Sequence, residues 1–254
     1  MTILQQFSDE ALFLWIPYFI VFLRVGTAMT FMPIYGESWM SVRIKVVASL
    51  ILTMIMTPAV IGSTSFQSSP NSLNVIALLQ EVLIGLLLGL VFRFFIMAIQ
   101  TAGSIAAQST SLAQLMGQTG MDPLPAIGHI MTLAALTILV IFGFHYNIIK
   151  FIVLTYDMFP YGKLIPIASI VDVFRQHANT IFNLAFSLAA PFLILSLLYN
   201  LTLGVINRAM PQLMVAFVGA PVISFAAILF LLLCIPAILI TWLSGVQQFL
   251  INPF

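Results

Sequence analysis

Three histidines, seven acidic residues, one cysteine and a scatter of serines are the groups in this sequence able to do covalent or proton-transfer chemistry. Their spacing assembles none of the usual constellations. A zinc-dependent intramembrane protease needs His-Glu-x-x-His, which sets two imidazoles one helical turn apart with a general base between them. Here His129, His145 and His177 are scattered, and none has a glutamate beside it. A rhomboid-like serine protease needs a serine in a Gly-rich setting and a histidine partner, but Ser244-Gly245 has no histidine near it in sequence. Tyr156-Asp157 could be one half of an aspartyl intramembrane protease, yet the Gly-x-Gly-Asp half is missing. No Walker motif offers a phosphate cradle for ATP. The sequence therefore reads as a non-enzyme with no cofactor and no metal. The histidines read as packed or interfacial residues. Cys234, set in Leu-Leu-Leu-Cys-Ile-Pro, reads as a small hydrophobe without a disulfide partner.

A different kind of chemistry is posed by three charges inside apolar segments, Arg24, Glu81 and Arg93. An ionisable group within a membrane span costs roughly 2.5–3.5 kcal/mol on insertion scales, so each demands a reason. Positions 81 and 93 fall on one segment and are separated by about 18 Å of helix, too far to pair with each other. Each needs another partner or water, and Arg24 poses the same demand. Two readings stay open: functional groups of a transporter or channel, or residues near helix ends that snorkel or pair with other chains.

The elements that must carry these groups follow from composition. Of 254 residues, 62% are hydrophobic and 6% charged, whereas a soluble domain carries about 25% charged residues. Fifteen charges cannot cover a globule of this size with a solvated skin, and a net charge of +1 supplies no field for a nucleic-acid backbone. A soluble enzyme, a disordered chain and a nucleic-acid binder are excluded. A span needs roughly 20 apolar residues, and six such runs are expected, near residues 11–32, 46–61, 73–101, 127–149, 180–206 and 213–243. The reading is an all-α, polytopic integral membrane protein built of long helices in hairpins, kinked at prolines such as Pro191, Pro221 and Pro236. Asp9 and Glu10 before the first run, and the lack of a basic n-region, argue for a retained helix over a cleaved signal. The polar stretch 156–179 is too short for a core of its own. Basic residues divide evenly between alternate loops. Arg43 and Lys45 in the first loop favour an outside N-terminus.

Packing signals are clearer. Gly85 and Gly89 form Gly-x-x-x-Gly, and Gly103, Ala107 and Ser111 continue small residues at the same spacing, which lets helix backbones approach closely. That stripe runs into Gln108, Gln114 and Gln118, which suggests a helix facing protein or a water lining. The segment Leu115, Met116, Gly117, Gln118, Thr119, Gly120, Met121, Asp122 and Pro123, followed by Pro125, mixes glycines that permit unusual backbone with prolines that stiffen the exit. Its methionines suit a surface that seals and re-packs. A plain connecting loop is the other reading.

Phe22-Leu-Arg-Val25, Met32-Pro-Ile34, Val42-Arg-Ile-Lys45, Glu81-Val-Leu-Ile-Gly-Leu-Leu-Leu-Gly-Leu90 and Thr101-Ala-Gly103 follow one another in an order similar to the FliR/SctT family of type III secretion export-gate subunits. Leu203-Gly-Val-Ile-Asn-Arg-Ala-Met-Pro-Gln212 with Val218-Gly-Ala-Pro221 resembles that family's most specific block. The resemblance covers nearly the whole chain. It implies a subunit of the flagellar export gate in the bacterial inner membrane and basal body. In that gate, one such chain closes a helical hetero-oligomeric ring with FliP and FliQ, near FlhB and FlhA, and unfolded proteins pass through it. The injectisome branch of the family is the competitor, and an independent secondary transporter ranks lower. The resemblance further implies a FliP-like part over residues 1–179 and a FliQ-like helical hairpin over 180–254. The hairpin tip would hold Asn207, Arg208, Pro211 and Gln212, and residues 115–123 would form a pore plug.

Overall fold

The computed structural model describes residues 2–62, 74–109, 126–163, 166–209 and 215–251. Among them every regular element is an α-helix: α1 (Thr2–Phe31), α2 (Val42–Ile61), α3 (Val75–Ser109), α4 (Ala126–Ile141), α5 (Phe144–Met158), α6 (Ile167–Ala209) and α7 (Val215–Ile251). The apolar runs supply good helix formers, and the breaks fall at glycine and proline. Helix α1 gives way just before Pro33, and the turn that follows it is closed where the Gly36 N–H donates to the Met32 carbonyl at 2.6 Å. A Cβ on Gly36 would sit 2.7 Å from that same oxygen, so only glycine suits this turn.

Among the described residues, four stretches are long and apolar enough to cross a membrane, namely Val42–Ile61, Val75–Ala107, Phe174–Ala209 and Ile228–Ile251, and a broken pair, Ile127–Ile141 with Phe144–Met158, makes a fifth when counted as one span. Two expectations shift. The fourth apolar run is two helices, because Gly143 adopts φ 73, a left-handed conformation that ends one helix and starts the next. The polar stretch after Tyr156 is largely helical, since α6 begins at Ile167. Pro166 stands just ahead of it, where a missing N–H costs nothing.

Helix α2 states its environment in its side chains. Ser49, Thr53 and Thr57, four residues apart, are buried. Their hydroxyls donate back to the carbonyls of Val46, Ser49 and Thr53 at 2.8, 2.7 and 2.6 Å. Val46, Val47, Leu50, Ile51, Met54 and Ile55 face outward. Small hydroxyls inward and large aliphatics outward is the reverse of a soluble helix. In lipid it is the economical arrangement, because apolar side chains gain nothing by leaving hydrocarbon, whereas small residues let helices approach.

The chain clusters into two compact units. The first takes the described residues of Met1–Arg93 and Phe142–Ala178, and the second those of Phe94–Ile141 and Asn179–Pro253. The first has its core between α1, the N-terminal half of α3 and the buried face of α5. There Phe92 meets Phe144 and Phe151 edge-on, with ring centroids 5.4 and 5.3 Å apart, a favoured aromatic geometry. The second is centred on Trp242 of α7, which is fully buried. Its indole N–H donates to the Phe95 carbonyl of α3 at 2.7 Å, giving the ring's polar atom a partner inside an apolar core.

Candidate functional site

Arg24 lies on α1 between Val21 and Val25 on one side and Ala28 on the next turn, all fully buried. A guanidinium placed there must be neutralised within the protein, since desolvating a charge costs several kcal/mol even after relaxation. Helix α3 supplies the neutralising group because it can come close. A Cβ on Gly85 would collide with the Thr27 hydroxyl and the Arg24 carbonyl, and one on Gly89 would lie 2.5 Å from the Ala28 carbonyl. The two glycines thus seat α3 against the backbone of α1. Glu81, one turn before Gly85, is carried up to Arg24.

The resulting contact is bidentate. Arg24 Nε donates to Glu81 Oε2 at 2.7 Å and Nη2 to Oε1 at 2.8 Å, with the two side chains 0% and 2% exposed. Paired parallel bonds of this kind are the strongest form of carboxylate recognition. The remaining donors reach the end of α5: Nη1 donates to Thr155 Oγ1 at 3.1 Å and Nη2 to the Phe159 carbonyl at 2.8 Å. The guanidinium also lies 3.7 Å from the Tyr156 ring centroid, a cation–π contact. Phe159 is the C-cap of α5, where a cation is favoured by the helix dipole. One side chain therefore fastens α1 to α3 and to the C-terminus of α5. Just beyond, Tyr161 has its phenol held above its ordinary pKa, first by burial and then by the Glu81 charge.

Both carboxylate oxygens of Glu81 are occupied by guanidinium donors. The arrangement is chemically a clamp, closed to solvent and to substrate, and it resolves the Arg24 and Glu81 question within a single chain. Arg93 is placed elsewhere, as its separation from Glu81 required: Nη1 donates to Glu37 Oε1 at 2.8 Å, in the turn between α1 and α2, and both side chains are partly exposed. Gly103 meets α4 where a Cβ would sit 2.6 Å from Gly128 Cα, so two backbones touch with no side chain between them. Asn207 and Arg208 are exposed on the last turn of α6, and Arg208 sits where the dipole favours a cation. Pro211, Gln212 and residues 115–123 lie outside the described residues. Among those described, no three of His, Cys, Asp and Glu gather into a group able to hold a metal.

Sequence reading missed Thr155, the Phe159 carbonyl, Glu37, Gly128 and Trp242. One signal was present for the central pair: a glutamate one turn ahead of Gly-x-x-x-Gly sits on the face that those glycines bring closest to a neighbour.

The family described as bacterial export proteins, family 1, matches residues 15–249. The chain is 29% identical to the flagellar biosynthetic protein FliR of Caulobacter vibrioides, over 91% of this chain and 93% of that protein. It is 28% identical to FliR of Escherichia coli over 85% and 83% of the two chains, and 27% identical to FliR of Aquifex aeolicus over 90% and 88%.

Proposed function

The chain belongs to the bacterial export proteins, family 1, and from that premise we propose that it is a non-enzymatic subunit of the flagellar type III protein export gate. The observation that carries this reading is the near end-to-end match to proteins whose names declare flagellar biosynthesis, with 91% of this chain paired to 93% of the relative from Caulobacter vibrioides. An all-helical chain with four or five potential spans among its described residues suits a membrane-embedded subunit, here assigned to the bacterial inner membrane at the flagellar basal body. In this proposal the chain closes a helical ring with FliP and FliQ, close to FlhB and FlhA, and unfolded flagellar proteins pass through the ring. Residues 1–179 act as the FliP-like part and 180–254 as the FliQ-like hairpin.

The proposed mechanism is steric. The segment Leu115 to Pro123 occupies the conduit at rest and moves aside for an extended chain. The Arg24 clamp keeps α1, α3 and α5 in register while that happens. Affinity purification of the full-length chain from membranes tests the assignment. FliP-like and FliQ-like chains are expected to co-purify, whereas recovery of a self-contained monomer or dimer that binds a small solute refutes it in favour of a transporter. Deleting Gly117 to Gly120 tests the plug separately. An assembled gate should then leak ions across the inner membrane, and unchanged leakage removes the plug from the mechanism.

A further inference from the structure

Helix α2 ends in a group of residues that the export reading does not use. Trp39, just ahead of the helix, is 68% exposed. Arg43 and Lys45 stand in the first helical turn, and neither pairs with an acid among the described residues. Glu37, the nearby acid, is engaged by Arg93 at 2.8 Å and does not neutralise them. Cations in the first turn oppose the helix dipole, so they are not there for the stability of α2. From this end rises the outward aliphatic face of Val46, Val47, Leu50, Ile51, Met54 and Ile55.

We propose that this surface binds anionic phospholipid. The acyl chains lie along the aliphatic face, Trp39 sits at headgroup level, and Arg43 and Lys45 hold the phosphate. The order of the groups is that of a bilayer leaflet: aromatic and basic residues at the interface, large aliphatics below it. Charge complementarity selects the occupant. A second copy of this chain brings few acids to meet two cations, since Glu37 and Glu81 are already paired and Asp172 is bonded to Arg175. An anionic headgroup supplies the missing charge.

The test uses the full-length chain reconstituted in bilayers of phosphatidylcholine and phosphatidylglycerol, one or the other carrying brominated acyl chains. Bromine quenches indole fluorescence on contact. A Trp15→Phe background leaves Trp39 as the exposed indole, because Trp242 is shielded by complete burial. At about 1 kcal/mol per basic residue near an anionic surface, the two cations together give phosphatidylglycerol a preference of about thirtyfold over phosphatidylcholine. The preference should fall severalfold in Arg43→Gln/Lys45→Gln and shrink in high salt. It should survive in Arg43→Lys/Lys45→Arg, which keeps both charges, and in the distant Arg208→Gln. Equal quenching by the two lipids, no quenching by either, or a fall of less than twofold in the double Gln variant overturns the proposal. Because the assay uses the isolated chain, its failure leaves the export assignment standing, and failure of partner co-purification leaves the lipid site standing.

Discussion

The Arg24–Glu81 clamp makes a prediction whose size follows from its geometry. Arg24→Leu removes two bonds to Glu81, one to Thr155, one to the Phe159 carbonyl and the stacking on Tyr156. It leaves a carboxylate buried among apolar neighbours and costs about 3–5 kcal/mol. Glu81→Leu leaves a guanidinium with neutral acceptors only and costs about the same. If the two effects were independent, the double variant would lose about 6–10 kcal/mol. Much of each loss is the stranded partner, so the double variant should recover about 2–3 kcal/mol of that sum as coupling. Exchanging the charges, Arg24→Glu with Glu81→Arg, should not restore stability. A glutamate at 24 would turn acceptor oxygens toward the Phe159 carbonyl, which has no hydrogen to donate. The assay is reversible unfolding of the full-length chain in mixed micelles by increasing dodecyl sulfate, followed by far-ultraviolet circular dichroism. Additive losses to within about 0.5 kcal/mol, or full recovery in the exchanged variant, would refute the three-helix clamp.

Replacing Gly85 and Gly89 by Leu should push α3 off the Arg24 and Ala28 carbonyls and prevent recovery of any assembled complex, checked by purification yield; normal yield contradicts the close approach. Trp242→Phe keeps most of the packing but leaves the Phe95 carbonyl without its indole donor. It should cost about 1 kcal/mol, and Trp242→Ala about 3–5 kcal/mol, read in the same unfolding assay. Arg93→Gln breaks a partly exposed pair and should cost about 1 kcal/mol or less, shrinking as salt is raised; a salt-independent loss of several kcal/mol would contradict its exposed setting.

What could be read from residues alone was the presence of helices and the demand for partners. Apolar runs bounded by Pro33, Gly36 and Pro166 mark elements whatever the tertiary context. A lone Arg24 or Glu81 in hydrocarbon announces that something must meet it. Which group meets it depends on how helices far apart in sequence cross, and that is set by close approach at Gly85 and Gly89, not by the charges. The break at Gly143 was hidden because Phe142 and Phe144 keep the run apolar on both sides. The start of α6 was hidden because Asp172, Arg175, Gln176 and His177 read as loop residues, although Val171, Phe174 and Ala178 keep helical spacing. The Glu37 partner of Arg93 lies in a turn, where periodicity carries no signal.

The clamp also imposes an order of events on synthesis. Arg24 emerges first, Glu81 comes 57 residues later, and the Phe159 carbonyl 135 residues later. At roughly 5–20 residues per second, the guanidinium waits on the order of ten seconds for its last acceptor. Until Glu81 is made α1 holds an unpaired charge, and until residue 159 is made the guanidinium lacks an acceptor, which favours keeping that stretch near the membrane surface or beside the insertion machinery. Final seating of the first helix is thereby deferred until the fifth has been made, and a chain truncated before residue 159 carries its own mark of incompleteness.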